Sequence, residues 1–98
     1  MMVEFEWHEK KRQANILKHG IDFEDAVCVF DGATVQRLAD RSKYGEERIV
    51  AIGEIDGHVL IVVYTMRGDI RRLISARVAS RDERAKYHQA IAGRSPDG

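Results

Sequence analysis

Residues 58–79, HVLIVVYTMRGDIRRLISARVA, constrain the fold more than any other stretch of the chain. An uninterrupted apolar run from His58 to Met66 reads as a strand, Arg67-Gly68-Asp69 as a turn, and Ile70 to Val78 as a returning strand with arginines set among Ile and Leu. The apolar strand belongs at the centre of a sheet. The arginine-bearing strand beside it is the place to look for chemistry or recognition.

A chain of 98 residues holds one domain with a real core and is too short for two. No run approaches the ~18 apolar residues of a membrane span, and MMVEFEWHEKKR lacks the apolar segment of a signal peptide. These features predict a cytoplasmic protein. Cys28, the single cysteine, has no internal disulfide partner and falls in an apolar helical pattern, which predicts a buried, inert thiol. The 16 basic and 16 acidic side chains cancel, which by itself argues against a generic polyanion binder, but their distribution is uneven. Residues 20–57 hold nine acids against four Lys/Arg, and residues 64–88 hold seven Lys/Arg against three acids. Such a segment either presents a positive face to a phosphate chain or is neutralised across the fold.

Val3 to Trp7 alternates apolar and acidic residues as a short strand does. Glu9 to His19 is a cationic helix with Ala14 and Leu17 as its inward positions and Gly20 as a left-handed cap. Asp22 caps a second helix, with Asp25 at the capping-box position and Phe23, Ala26, Val27 and Phe30 as its core stripe; Asp31-Gly32 ends it. Thr34 to Leu38 is a strand and residues 40–45 a polar loop. Arg48 to Ile55 and His58 to Met66 flank Asp56-Gly57, a two-residue hairpin signal, and Gly68-Asp69 makes the next hairpin into Ile70 to Val78. Ser80-x-x-Glu83 is a capping box opening a final helix that brings Arg84, Lys86, Tyr87 and His88 near the last strand. The domain therefore spans residues 1–92, with 93–98 a disordered tail.

Strict alternation puts Val50, Ile52, Val59, Ile61, Val63, Ile74, Ala76 and Val78 on one side of the meander, to receive the two N-terminal helices. Arg48, Thr65 and Arg72 lie toward the end of that side. The other side carries Ala51, Leu60, Val62, Tyr64, Arg71, Leu73, Ser75 and Arg77, and a one-residue bulge would exchange the faces. The fold class is α+β: a small antiparallel sheet of about four strands plus an N-terminal strand, two helices on one face, and a C-terminal helix.

Phe5-Glu6-Trp7, Lys11, Asn15, Lys18-His19-Gly20, Phe23-Glu24, Phe30, Tyr44-Gly45-Glu46, Arg48, Ile52-Gly53, Tyr64-Thr65-x-Arg67-Gly68, Arg72-x-Ile74-Ser75-Ala76-Arg77, Glu83 and Tyr87 occur in an order and spacing that resembles the BrnT toxins. The likeness runs from about residue 5 to residue 88. Gly32, where members often carry Pro, and His8, where many carry Asp, depart from the pattern. The resemblance implies a type II toxin with a fold similar to the RelE ribonucleases. It further implies an endoribonuclease that inhibits translation, with RNA as substrate and a cognate antitoxin, a ribbon-helix-helix DNA-binding protein, as partner. A higher-order toxin–antitoxin complex is part of the same implication.

Metal-independent RNA cleavage needs a base for the 2′-hydroxyl, cations for the phosphorane-like transition state and an acid for the leaving 5′ oxygen. Arginine suits the second task because its planar fork binds two phosphate oxygens. Arg77 is the first candidate, with Arg67 and Arg72 in support; His19, Lys18 and Tyr87 are candidates for proton transfer. Competing readings put Arg72 in an ion pair with Glu46 or Glu83, Tyr87 in the core, Arg67 in ordinary turn chemistry, and Lys18 and His19 at the helix dipole. His8, His19, His58 and His88 have no paired metal-ligand spacing, so neither a metal nor another cofactor is expected. The alternative function is a non-catalytic module of the same fold that binds an antitoxin or nucleic acid.

Overall fold

The computed structural model describes residues 4–39 and 46–93. The expected loop at 40–45 and the tail beyond Gly93 lie outside the described residues. The elements are β1 (Glu4–Glu6), α1 (Glu9–His19), α2 (Phe23–Ala26) running into a 3-10 turn (Val27–Asp31), β2 (Thr34–Leu38), β3 (Ile49–Ile55), β4 (His58–Arg67), β5 (Ile70–Val78) and α3 (Arg81–Ala92). They form a five-stranded sheet of order β1-β5-β4-β3-β2, so the apolar strand β4 is central. Two-residue turns set the register of its hairpins, pairing Ile55 with His58 and Arg67 with Ile70. Asp56 and Gly57 both have positive φ, at 49° and 84°, as a type I′ turn requires, and Gly68 takes φ 60° at the next turn. β1 adds to β5 in parallel, opposite Ile70 to Arg72. The sheet is thus an antiparallel meander with one parallel edge strand.

The two N-terminal helices pack on the face opposite to the one expected. Phe23, Ala26 and Val29 form a core with Leu60, Val62, Leu73 and Ala76, flanked by Phe5, Trp7, Ile21 and Phe30. Val50, Val59 and Ile61 face the other way and are covered with Ala79 by Tyr87 of α3. β4 is apolar at every position from Val59 to Val63, so both of its faces demand cover and its pattern does not say which helix supplies it.

The second helix is tighter than expected. Its fully buried residues, Phe23, Ala26 and Val29, are spaced three apart, the period of the 3-10 turn into which α2 passes. The β-branched pair Val27 and Val29 disfavours a longer α-helix. Asp22 caps it by accepting from the Glu24 N–H at 3.0 Å. Cys28 is exposed, not buried, because the three-residue period turns it outward. Gly53 of β3 lets the sheet approach this turn: a Cβ there would stand 2.8 Å from the Val29 Cβ.

α1 also turns a different side inward. Ala14 is exposed and Leu17 is 89% exposed, whereas Asn15 is buried against the free edge of β5. Asn15 Nδ2 donates to the carbonyls of Ala76 (2.8 Å) and Ile21 (2.9 Å), and Oδ1 accepts from the Ala76 N–H at 3.1 Å. Its amide takes the place of a neighbouring strand for one residue, which blunts the edge β5 would otherwise expose. Gly20 ends α1 at φ 72°, as expected, and its N–H donates to the Ile16 carbonyl.

Candidate nucleic-acid interface

The site starts from an irregularity in β5. Tyr64 of β4 pairs with Leu73, but Val63 pairs with Ser75, leaving Ile74 as an extra residue on β5. Leu73 and Ala76 therefore share the helix-covered core, and Ser75 and Arg77 pass to the opposite face, where Arg77 pairs with Ile61. Strict alternation had put Arg77 beside Leu60 and Val62; the bulge removes it from them. It arrives on the side already occupied by Arg72, which pairs with Thr65, and by Arg37, which pairs with Val50.

This side holds a groove of about 310 Å³ lined by Arg37, Val50, Ile52, Ile61, Val63, Arg77, Glu83 and Lys86. Three of its lining groups are cations and one is an anion. Arg77 donates through both terminal nitrogens to the Glu83 carboxylate, each at 2.8 Å. Glu83 also accepts from the Ser80 N–H at 2.8 Å, completing the expected capping box of α3. These donors, Arg77 foremost, hold the Glu83 carboxyl down to about 2, and Glu83 in turn raises the Arg77 guanidinium. Glu83 is therefore an anion at neutral pH and the Arg77 fork is occupied in the free protein.

The other expected site residues are spread around this groove. Arg72 is half-buried and pairs with Glu6 across the β1–β5 edge, in place of the Glu46 or Glu83 expected from sequence. Glu46 instead pairs with Arg67, an exposed contact at 3.3 Å. The Arg72 pairing arises because β1, distant in sequence, becomes the neighbour of β5. Lys18 and His19 line a separate hollow of about 240 Å³ with Asn15, Ile74 and Ser75, just across the bulge. Tyr87 is 5% exposed, packs in the core under α3, and donates from its hydroxyl to the Ala33 carbonyl at 2.9 Å. Arg37 was not singled out from sequence, and Lys86 was expected only to lie near the last strand. One stands on an edge strand and the other on a surface helix, and only the fold brings them to Arg77.

The remaining polar clusters point away from phosphate binding or toward structure. A larger cavity of about 590 Å³ is lined by Ile55, Leu60 and Val78 together with Asp22, Asp25 and Asp56, whose charge makes it repulsive to a phosphate chain. Asp22 is itself held below the usual carboxylate range by Arg12, which bonds it at 2.8 and 2.9 Å. On the helix-covered face Arg71 lies over Phe30, 4.3 Å from its ring centre, and also over Phe5 and Tyr64, fastening β1 and the 3-10 turn to the sheet. Among the described residues no three His, Cys, Asp or Glu side chains converge as a metal site would need. No helix among them is long and apolar enough to cross a membrane.

A family model described as "Ribonuclease toxin, BrnT, of type II toxin-antitoxin system" matches residues 7–83. The chain belongs to the BrnT toxin family. A solved structure of the ribonuclease toxin BrnT of Brucella abortus is 31% identical, with a TM-score of 0.61 over 82% of this chain and 100% of that one. No curated protein sequence matches the chain. Several residues that carried the BrnT resemblance now have physical duties: Asn15 clips α1 to β5, Gly53 admits the 3-10 turn, and Glu83 ties Arg77 to α3. His8, one of the departures from the resemblance, caps α1, its ring Nδ1 accepting from the Lys10 N–H at 3.2 Å.

Proposed function

We propose that this BrnT-family chain is a metal-independent endoribonuclease that acts in the cytoplasm, inhibits translation by cutting RNA, and is held in check by a ribbon-helix-helix antitoxin. The observation that carries this reading is the β5 bulge, which turns Arg77 onto the face of Arg37, Arg72 and Lys86. Arg37, Arg72, Arg77 and Lys86 outnumber Glu6 and Glu83 on this side of a sheet whose chain is neutral overall, and that excess supports the local field that a phosphate chain requires.

In this reading Arg77 receives the scissile phosphate. An incoming phosphate competes with Glu83 for the guanidinium fork, since both present two oxygens to it. The displaced Glu83 carboxylate is left beside the reacting ribose, where an ionised acceptor can take the 2′-hydroxyl proton. Arg72 and Arg67 extend the positive surface toward the β4–β5 turn. Lys18 and His19, which line the neighbouring hollow beside Ile74 and Ser75, supply the proton for the leaving 5′ oxygen once the RNA reaches across the bulge. Tyr87, with its hydroxyl bound to Ala33, holds α3 in place and acts by positioning Glu83.

The test is an assay of purified, partner-free protein on single-stranded RNA with excess chelator, beside Arg77→Ala as a control for contaminating nuclease. Products ending in 2′,3′-cyclic phosphate, absent with the variant, are expected. Cleavage abolished by the chelator, or unchanged by Arg77→Ala, would refute the reading.

A further inference from the structure

The floor of the groove is not used by the chemistry above. Val50 pairs with Val63 and Ile52 with Ile61, so four aliphatic side chains from two adjacent strands make one flat platform. Arg37 bounds it on the β2 side, and Arg77 with Lys86 on the other. Val50 and Ile61 are buried, while Ile52 and Val63 remain half-buried in the groove wall. A volume of about 310 Å³ lies at the bottom of the range for ligand pockets, room for one nucleotide unit but not for a duplex.

We infer that this platform takes one unpaired nucleobase of the RNA, laid on the half-buried Ile52 and Val63 with Val50 and Ile61 packed behind them, and with the flanking phosphates held by Arg37 on one side and by Arg77 and Lys86 on the other. The inference rests on the RNA-cleaving reading and adds a subsite to it. Three features select this ligand. An aliphatic floor between cations matches a chain whose charged links alternate with flat, weakly solvated rings. The floor carries no hydrogen-bonding group to read a base edge, so any of the four bases fits. A paired base cannot lie on it, because its partner strand would occupy the space of Arg37 or α3. The enzyme is thereby selective for single strands and tolerant of sequence at this position.

Binding of fluorescein-labelled decamers with 2′-O-methyl riboses, which lack the attacking hydroxyl and are not cut, followed by anisotropy, tests the inference. Three probes are compared: a single strand, the same strand annealed to its complement, and a strand of the same length with abasic riboses in place of its central nucleosides. The abasic strand keeps every phosphate, so a site reading only charge binds it as well as the intact one. Binding about ten-fold weaker for both the abasic strand and the duplex is expected, the effect of losing roughly 50 Å² of apolar contact. Val63→Thr and Ile52→Thr should each weaken the intact strand several-fold and leave the abasic strand unchanged. Equal affinity for intact and abasic strands would overturn the nucleobase subsite while leaving the cationic ribonuclease reading in place. Failure to bind any of the three, together with absence of cleavage, would overturn both. Should a floor variant fail to fold, the comparison of the three probes on the unaltered protein decides alone.

Discussion

Asn15→Ala is the substitution whose effect follows most fully from the structure. Asn15 is 6% exposed and makes three hydrogen bonds, two of them to the N–H and C=O of Ala76. Alanine removes all three without giving the β5 backbone a new partner. Each buried backbone group left unsatisfied costs about 1–3 kcal/mol, so the Ala76 pair and the Ile21 carbonyl together imply a loss of at least about 3 kcal/mol. That is a large part of the roughly 5–15 kcal/mol by which a domain is stable. At about 4–8 °C per kcal/mol for a domain of this size, the melting temperature should fall by at least roughly 12 °C. Thermal melting followed by circular dichroism measures it, with urea unfolding as a second readout. A fall of less than about 3 °C would refute the edge-clip argument. Asn15→Asp sharpens the test. The ionised acid would face the Ala76 and Ile21 carbonyls and cannot donate, whereas the protonated acid donates once. Its folded pKa must rise above the unfolded value, so the variant should be most stable at low pH and lose stability as pH rises through the folded pKa.

Other consequences are more local. Glu83 has its folded pKa lowered from 4.5 to about 2, so its contribution is complete above pH 4.5 and is lost as pH falls toward 2; Glu83→Gln should flatten that part of a stability–pH curve. The same variant should lose only about 0.5–1 kcal/mol at neutral pH, because the Arg77–Glu83 pair is partly solvated, and a loss above about 3 kcal/mol in urea unfolding would contradict this. Gly53→Val gains strand propensity but drives its Cβ to 2.8 Å from Val29, and should lower stability by about 2–3 kcal/mol in denaturant unfolding. Arg72→Ala breaks the pair with Glu6 that holds β1 to β5; a melting temperature lower by several degrees is expected, with cleavage also reduced well below that temperature. Unchanged cleavage would confine Arg72 to a structural role.

Much of the framework was legible because it is written in local chemistry. The Asp56-Gly57 and Gly68-Asp69 turns, the Gly20 cap and the Ser80–Glu83 box each depend on a few neighbouring residues, and β2 and β5 lie where the pattern puts them. What eluded the sequence depends on distant partners. Nothing in Leu73-Ile74-Ser75-Ala76 marks Ile74 as a bulge, since each residue suits a regular strand, yet that extra residue decides the face of Arg77. Asn15 reads as a polar surface residue until the unpaired edge of β5 is placed beside it. Arg72 finds Glu6 only because β1 returns alongside β5, and the Arg37–Arg77–Lys86 group forms only when β2, β5 and α3 meet. Cys28 was misplaced for a different reason, the period of a 3-10 turn in place of an α-helix.

The account turns on which side of the sheet meets RNA, and a matched pair of arginines on β5 addresses this directly. Arg77 faces the groove beside α3, and Arg71 faces the opposite way over Phe5, Phe30 and Tyr64. The measurement is the initial rate of RNA cleavage by Arg77→Ala and by Arg71→Ala, each assayed well below its own melting temperature. The predicted result is a loss of roughly 100-fold or more for Arg77→Ala and a rate within about two-fold of the parent for Arg71→Ala. The reverse ranking would show that the helix-covered face, not the groove, carries the chemistry.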